Sequence, residues 1–337
     1  MVIFFGFVFG VIVQYSNVNR TDVITGTTVL KEFTVAKVLA LAVGIAVILV
    51  DLQIGLGLAS YHIKPLILGG VIWGGIVFGA GIAMLGYCPG TMPISAGQGS
   101  VDALLGIIGG LAGGLVYTLL HPVMKPVLGP DFGAISLHST IGEHKLAFHL
   151  FTVAFGVLAI WLAFAVDRVQ KSRNRRWVVT GLGLAILSAI TMLEVTSNRP
   201  IGASTSYPYL IDEVANTTGN EYFRSINVPG QWEMVFLFGA FLSGLVLSLW
   251  RKDFKIRLIH TRWKEYKGDS AAKRIFWSLI GGFLLIFGAR MAGGCTSGHI
   301  LSGGMQLAMS SLIFAAFVFI SLILTGKLFY PAATRKE

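Results

Sequence analysis

Gly74-Gly75-Ile76-Val77-Phe78-Gly79-Ala80-Gly81-Ile82-Ala83-Met84-Leu85-Gly86-Tyr87-Cys88 has a counterpart later in the chain. It is Gly281-Gly282-Phe283-Leu284-Leu285-Ile286-Phe287-Gly288-Ala289-Arg290-Met291-Ala292-Gly293-Gly294-Cys295. Laid together without a gap, the glycine pairs, Gly81/Gly288, Met84/Met291, Gly86/Gly293 and Cys88/Cys295 coincide. Ser95/Ser302 and Gly97/Gly304 carry the match beyond the thiol. The chain has only these 2 cysteines. A repeat built around a thiol predicts a duplicated protein with a sulfur-bearing site where its halves meet.

Composition places that repeat in a membrane. Mean hydropathy is +0.75 and only 12% of residues are charged. Apolar runs recur at the roughly 20 residues that a bilayer-spanning helix needs. The expected fold class is an all-α polytopic membrane protein. A formal charge of +10 is compatible with nucleic-acid binding, but the basic residues cluster in two short stretches between apolar runs. That is the distribution of cytoplasmic loops, so no nucleic-acid partner is expected and the lipid bilayer is. Two distant cysteines define neither a disulfide framework nor a zinc site, and no metal or cofactor is expected. The first fourteen residues lack the Lys/Arg start and cleavage site of a signal peptide and read as a short or partial first helix.

About nine main helices are predicted, near 1–14, 35–55, 66–87, 101–120, 148–166, 178–196, 232–250, 276–294 and 307–326. The polar stretches 15–34, 88–100, 197–231 and 295–306 predict short re-entrant or loop helices. Any of them that enters the membrane must be buried in protein or line a watery cavity. Residues 121–146, with Pro122, Pro126 and Pro130, read as a surface loop with short helices. The Lys/Arg excess puts loops 167–177 and 251–275 in the cytoplasm and makes this a multi-pass protein of the cell (inner or plasma) membrane. Counting crossings from those loops gives the two copies opposite topology. Residues 1–146 form a first repeat, 147–176 a connecting helix and cytoplasmic loop, and 177–337 a second, inverted repeat. Inverted repeats with broken helices meeting near the midplane are a recurrent transporter architecture.

The candidate site is read from the helix breaks. Most glycines inside the apolar helices serve close packing. Gly86, Gly90, Gly293, Gly294 and Gly298 flank the cysteines instead, where a break frees backbone groups to face a ligand. The plain alternative for a membrane thiol is an inert small side chain. Two thiols at equivalent positions argue for a shared task. A thiol is a weak donor and a soft acceptor, able to touch a sulfur-containing anion without the tight hold of a full charge. Arg290 and His299 are intramembrane candidates by cost alone. Arg290 either attracts an anion or snorkels to the outer interface, and His299 either meets substrate or satisfies backbone groups. The loop carrying Asn198, Gly202, Ser204 and Ser206 is the densest donor cluster and could cradle an anion. Asn17 and Asn19 occupy the matching place in the first half.

These features resemble the YeeE/YedE membrane proteins, whose characterised members import thiosulfate. The resemblance covers nearly the whole chain. It rests on the Gly-rich helix ending in Gly-x-Cys in both halves, on the Asn-x-Pro-x-Gly-x-Ser loop at 198–204, and on the inverted duplication. It implies nine membrane helices with loops from both sides narrowing the path at mid-membrane. It also implies that Cys88 and Cys295 relay thiosulfate through S–H···S contacts. Many relatives carry a further cysteine in the first polar loop; residues 15–22 here have none. The expected function is therefore import of a small sulfur oxyanion, thiosulfate first, with another sulfur or selenium compound as the alternative. A membrane thiol–disulfide oxidoreductase would need reversible pairing or a Cys-x-x-Cys motif, and the motif is absent, so the chain reads as no enzyme. A cytoplasmic sulfurtransferase (TusA-like) docking on the basic stretch is the candidate protein partner.

Overall fold

The two glycine-rich stretches become a pair of antiparallel helices at the centre of the molecule, α4 (Leu68–Leu85) and α13 (Ala271–Met291). The computed structural model describes residues 1–141, 145–171 and 174–330. The end of the first predicted repeat (142–144), part of the 167–177 loop (172–173) and the tail 331–337 lie outside the described residues. Before α4 come α1 (Val2–Tyr15), α2 (Thr21–Thr28) and α3 (Thr34–Gly55). After it come α5 (Met92–Gly97), α6 (Val101–Val127), α7 (Leu137–Ile141), α8 (Lys145–Gln170), α9 (Arg176–Met192), α10 (Ser206–Val214), α11 (Glu221–Trp250) and α12 (Thr261–Lys267). Beyond α13 lie a π-helical turn (Thr296–Leu301), a 3-10 turn (Gly304–Gln306) and α14 (Met309–Phe329). Among the described residues, 7 helices are long and apolar enough to cross a membrane, and α1 and α9 are shorter apolar helices. The fold is an all-α polytopic membrane protein.

Glycine explains how closely the central helices approach. A Cβ built on Gly74 would lie 2.7 Å from the Gly288 carbonyl oxygen, and one on Gly288 would lie 2.8 Å from that of Gly74. Backbone therefore meets backbone, as small residues permit between membrane helices. Gly282 extends the seam to α6, where a Cβ would sit 2.1 Å from the Gly106 oxygen. Gly282→Val is expected to lower stability by about 3 kcal/mol, since an added side chain can be housed only by moving a helix. The few tenths that valine gains over glycine in helix propensity do not offset this. Thermal unfolding in detergent measures it, and an unchanged midpoint would mean α6 yields freely.

Helix contacts come in matched sets. α4 packs on α14 as α13 packs on α6; α1 packs on α11 as α9 packs on α3. α10 rests on α11 and α6, and α2 rests on α3 and α14. The connector α8 lies against α3. Only 17% of its apolar window is buried within the protein. Both basic stretches lie at one end of the bundle. The Asp22 carboxylate accepts from the Arg262 backbone N–H at 2.8 Å, and Gln170 donates to Glu32 at 2.9 Å.

All nine predicted helices are present, and two of them extend furthest past a predicted end. α6 continues through Pro122 and Pro126 to Val127, so the loop predicted from 121 begins later. The two prolines are four residues apart and both lie on the exposed face of the helix. α11 starts at Glu221, eleven residues before 232, and passes through Pro229. Its start carries a legible signal: the Asn220 side chain accepts from the Phe223 N–H at 2.7 Å as an N-cap. The polar stretches hold α2, α5, α10 and the two short turns, with Asn19, Thr21, Thr25, Thr91, Ser95, Ser204 and Ser302 buried in protein.

Candidate functional site

α4 and α13 end on glycines in the left-handed region. Gly86 has φ +81° and Gly293 has φ +76°, a conformation costly for any side chain. Each reverses the chain and turns the next segment back into the protein. The Pro89 carbonyl accepts from Tyr207 Oη at 2.9 Å. Gly90 lies against the Phe9 ring and Ala203. The returning segments are pinned alike. Ser95 Oγ donates to the Asn19 carbonyl at 2.8 Å, and its repeat equivalent Ser302 donates to the Ile201 carbonyl at 2.7 Å. Each serine thus fastens a thiol-bearing hairpin to the polar loop of its own half.

The two thiols are free. Cys88 is partly buried and Cys295 is buried. Each has a hydroxyl at hand: Thr91 Oγ1 lies 3.3 Å from Cys88 Sγ, and Ser297 Oγ lies 3.2 Å from Cys295 Sγ. The thiols are within electrostatic reach of each other, and both are within reach of Tyr207. A cavity of about 90 Å³ is lined by Cys88, Thr91, Thr296 and Ser297 beside apolar groups such as Phe9 and Leu322. Toward the basic end, a second cavity of about 260 Å³ is lined by Tyr87, Ser95, Gln98, Arg20, Lys255 and Arg257, among others. Backbone bonds join its wall to the first hairpin: Arg257 N–H to the Gly99 oxygen (2.9 Å) and Val101 N–H to the Arg257 oxygen (2.8 Å).

The structure brings some predicted residues to the thiols and leaves others apart. Arg290 does not snorkel. It is buried, with Nε donating to Tyr222 Oη at 2.6 Å and Nη1 to Ser204 Oγ at 3.1 Å and Thr205 Oγ1 at 3.0 Å. Gly202 leaves room for Glu233, whose Oε1 would lie 2.0 Å from a Cβ there. Gly294 and Gly298 make room for Lys64. His299 has both ring nitrogens engaged, with the Ser311 hydroxyl and the Ala292 carbonyl at 2.8 Å each. It holds the π-helical turn against α13 and α14. Asn198 accepts from Ser60 Oγ (3.2 Å) and pairs with His62 (3.1 Å), which ties its loop to the α3–α4 connection. Ser206 donates to the Ala203 carbonyl at 2.8 Å and shapes the same loop. Asn19 donates to Ser95 Oγ at 3.0 Å and to Gln98 Oε1 at 2.7 Å, while Asn17, at φ +60°, forms the turn after α1.

Sequence reading missed Lys64, Glu233, Tyr207, Thr91 and Ser297. Two had a signal. Lys64 is the only Lys or Arg between Lys37 and Lys125, and Glu233 is the only carboxylate in α11 beyond its first turn. Ionisable groups so placed are functional candidates.

A family model described as sulphur transport matches residues 16–324. The thiosulfate transporter TsuA of Spirochaeta thermophila is 25% identical to this chain over 327 residues, 93% of each chain.

Proposed function

This chain belongs to the sulphur-transport family, the YeeE/YedE proteins, and from that premise we propose that it imports thiosulfate past Cys295 and then Cys88. At the coarser level it is a membrane transporter of a sulfur compound, and its substrate is a small anion. The observation that carries the finer reading is the convergence of the only two thiols, each beside a hydroxyl, on one region between two antiparallel broken helices. Thiosulfate has one terminal sulfur and three oxygens. A thiol can meet the sulfur while Thr91, Ser297 and hairpin N–H groups meet the oxygens. Each such contact contributes about 0.5–1.5 kcal/mol net, enough in sum to bind and little enough singly to release.

The matched helix contacts support reading the halves as inverted repeats, with α8 as the odd connector that inverts the second. The Lys/Arg excess supports a cytoplasmic side at 167–177 and 251–275, which places the α13 terminus and Cys295 outside Cys88 on the path. Where many relatives carry a third cysteine, Asn19 is occupied with Ser95 and Gln98. The relay here is therefore one of two thiols, with His299 and the loop at 198–206 holding it in shape. A TusA-like sulfurtransferase would dock on the basic stretch at the inner mouth. The test is uptake of labelled thiosulfate into proteoliposomes, with sulfate, selenite and tetrathionate as competitors and with or without a proton gradient. Saturable uptake that sulfate competes for weakly is expected. Uptake no faster than in protein-free vesicles would reject the reading.

A further inference from the structure

We propose that the cleft between α3, α8 and α14 holds an acyl chain of an anionic phospholipid from the bilayer leaflet at the basic end, and that this chain backs the wall of the thiol cavity. The inference is independent of which sulfur compound is carried and in which direction.

The cleft follows from which helices touch. α14 packs on α4, α2 and the π-helical turn, and α8 packs on α3. Between these two sets lies a cleft of about 300 Å³, lined by Ala40, Val43, Phe155, Ala159, Leu312 and Ala315, among others. Alanine on each of the three helices leaves the space unfilled. Leu39, Ile300 and Phe319 line both this cleft and the cavity lined by Cys88. These three side chains therefore form a thin partition, with the thiol on one side and the cleft on the other.

The lining selects the occupant. Its single polar side chain is Ser311, and that hydroxyl is paired with His299 Nδ1 at 2.8 Å. A buried water needs about two to four polar partners, which this lining does not offer. α8 buries only 17% of its apolar window within the protein, so the cleft's flank faces lipid. The apolar matter at hand is a lipid tail. Moving a tail from bilayer to cleft gains packing and no hydrophobic transfer, so the tail alone is held weakly. The headgroup supplies the rest. Phe319, Ile323 and Lys327 follow at four-residue steps, so the lysine continues the cleft-lining face of α14 toward the basic end. A Cβ on Gly326 would lie 2.5 Å from the Thr28 carbonyl oxygen, which brings that end of α14 to the segment where Lys31 leads into α3. Both lysines are exposed. Among the described residues, neither has a carboxylate within 4.0 Å. Each such cation at a membrane surface favours an anionic headgroup by about 1 kcal/mol.

The test reconstitutes the full-length protein into vesicles of equal parts phosphatidylglycerol and phosphatidylcholine with diazirine-bearing acyl chains, washes it in mild detergent, irradiates it and maps the adducts. Adducts are expected to concentrate on residues 36–43 and 312–319, with phosphatidylglycerol favoured at least about fivefold. Ala315→Trp, which fills the cleft, is expected to cut capture at least about fivefold. Should that variant fail to fold, Lys327→Gln decides: it lies outside the cleft and is expected to lower the phosphatidylglycerol preference at least about threefold. Stripping the lipid with excess detergent is expected to speed N-ethylmaleimide labelling of Cys88 at least about threefold, and phosphatidylglycerol added back should reverse this. Adducts spread evenly over the lipid-facing helices, or equal capture of the two lipids, would overturn the site. So would a folded Ala315→Trp protein that captures lipid as the wild type does, or a Lys327→Gln protein with the preference intact. A Cys88 labelling rate unmoved by lipid would overturn the backing of the thiol cavity.

Discussion

Alanine at either Cys88 or Cys295 is expected to reduce thiosulfate uptake to the level of protein-free vesicles while the protein still folds and inserts. The loss is large because the two thiols are not duplicates in series with a bypass. Cys88 lines the cavity, and Cys295 adjoins its wall at Thr296 and Ser297, so the loss of either removes one of the chain's 2 thiols. Stability should fall only slightly. Removing one sulfur resembles deleting one methylene-sized group, at about 0.5–1.5 kcal/mol. The Thr91 hydroxyl keeps a partner in the Cys88 carbonyl at 3.1 Å, so Cys88→Ala strands no buried donor. Serine at the same positions separates polarity from softness: it retains a hydroxyl and loses the polarizable sulfur. Folded alanine variants that transport at the wild-type rate would sink the relay.

The largest structural effect is expected at Asp102, at the basic end of the bundle beside the hairpin that carries Cys88. Arg274 and Asp102 are both 0% exposed and form a direct ion pair. Arg274 also donates to the Leu85 carbonyl at 2.8 Å, one of the carbonyls that a helix end leaves without a partner. Its guanidinium lies 4.6 Å from the centre of the Trp263 ring. Asp102 in turn accepts from Tyr87 Oη at 3.1 Å and pairs with His260 at 3.1 Å. One carboxylate thus ties the starts of α6 and α13 and the residue before Cys88. Asp102→Asn leaves a guanidinium buried without its counter-charge, a change that costs about 3–5 kcal/mol. Asp102→Leu combined with Arg274→Met should recover most of that, because the charge is then absent rather than stranded. Unfolding of the three proteins in detergent measures this; a single variant within about 1 kcal/mol of wild type would show that solvent reaches Arg274.

Much of this architecture could be read from the chain, because a bilayer imposes a length and an apolar composition that side chains display directly. The equivalence of Cys88 and Cys295 was legible for a similar reason: the same glycines recur at the same offsets, and Gly74, Gly81, Gly281 and Gly288 among them are where α4 and α13 touch. The end of α6 was not legible, and at the start of α11 the cap signal of Asn220 was outweighed by Pro229. Proline is a strong local signal, and at Pro122, Pro126 and Pro229 the surrounding helix overrides it. One group of charges was hidden differently. Lys64, Glu233 and Arg290 come from three separate parts of the chain, and only tertiary packing brings them together. His299, unmatched in the first half, was open to a substrate role or a backbone-satisfying one, and its ring lies 4.7 Å from that of Phe314 with both nitrogens engaged.

The glycine seam between α4 and α13 has a kinetic consequence. Surfaces that slide past one another need a compliant layer of side chains, and here the two backbones interlock with none between them. The halves therefore share a rigid keel, and rocking one against the other would have to break it. The hairpins that follow Gly86 and Gly293 are themselves fastened, through Ser95 and Ser302, to neighbouring loops. Any motion that leaves the seam intact is therefore loop-sized, and such motions run on the order of nanoseconds to microseconds, whereas whole domains rotate in roughly microseconds to milliseconds.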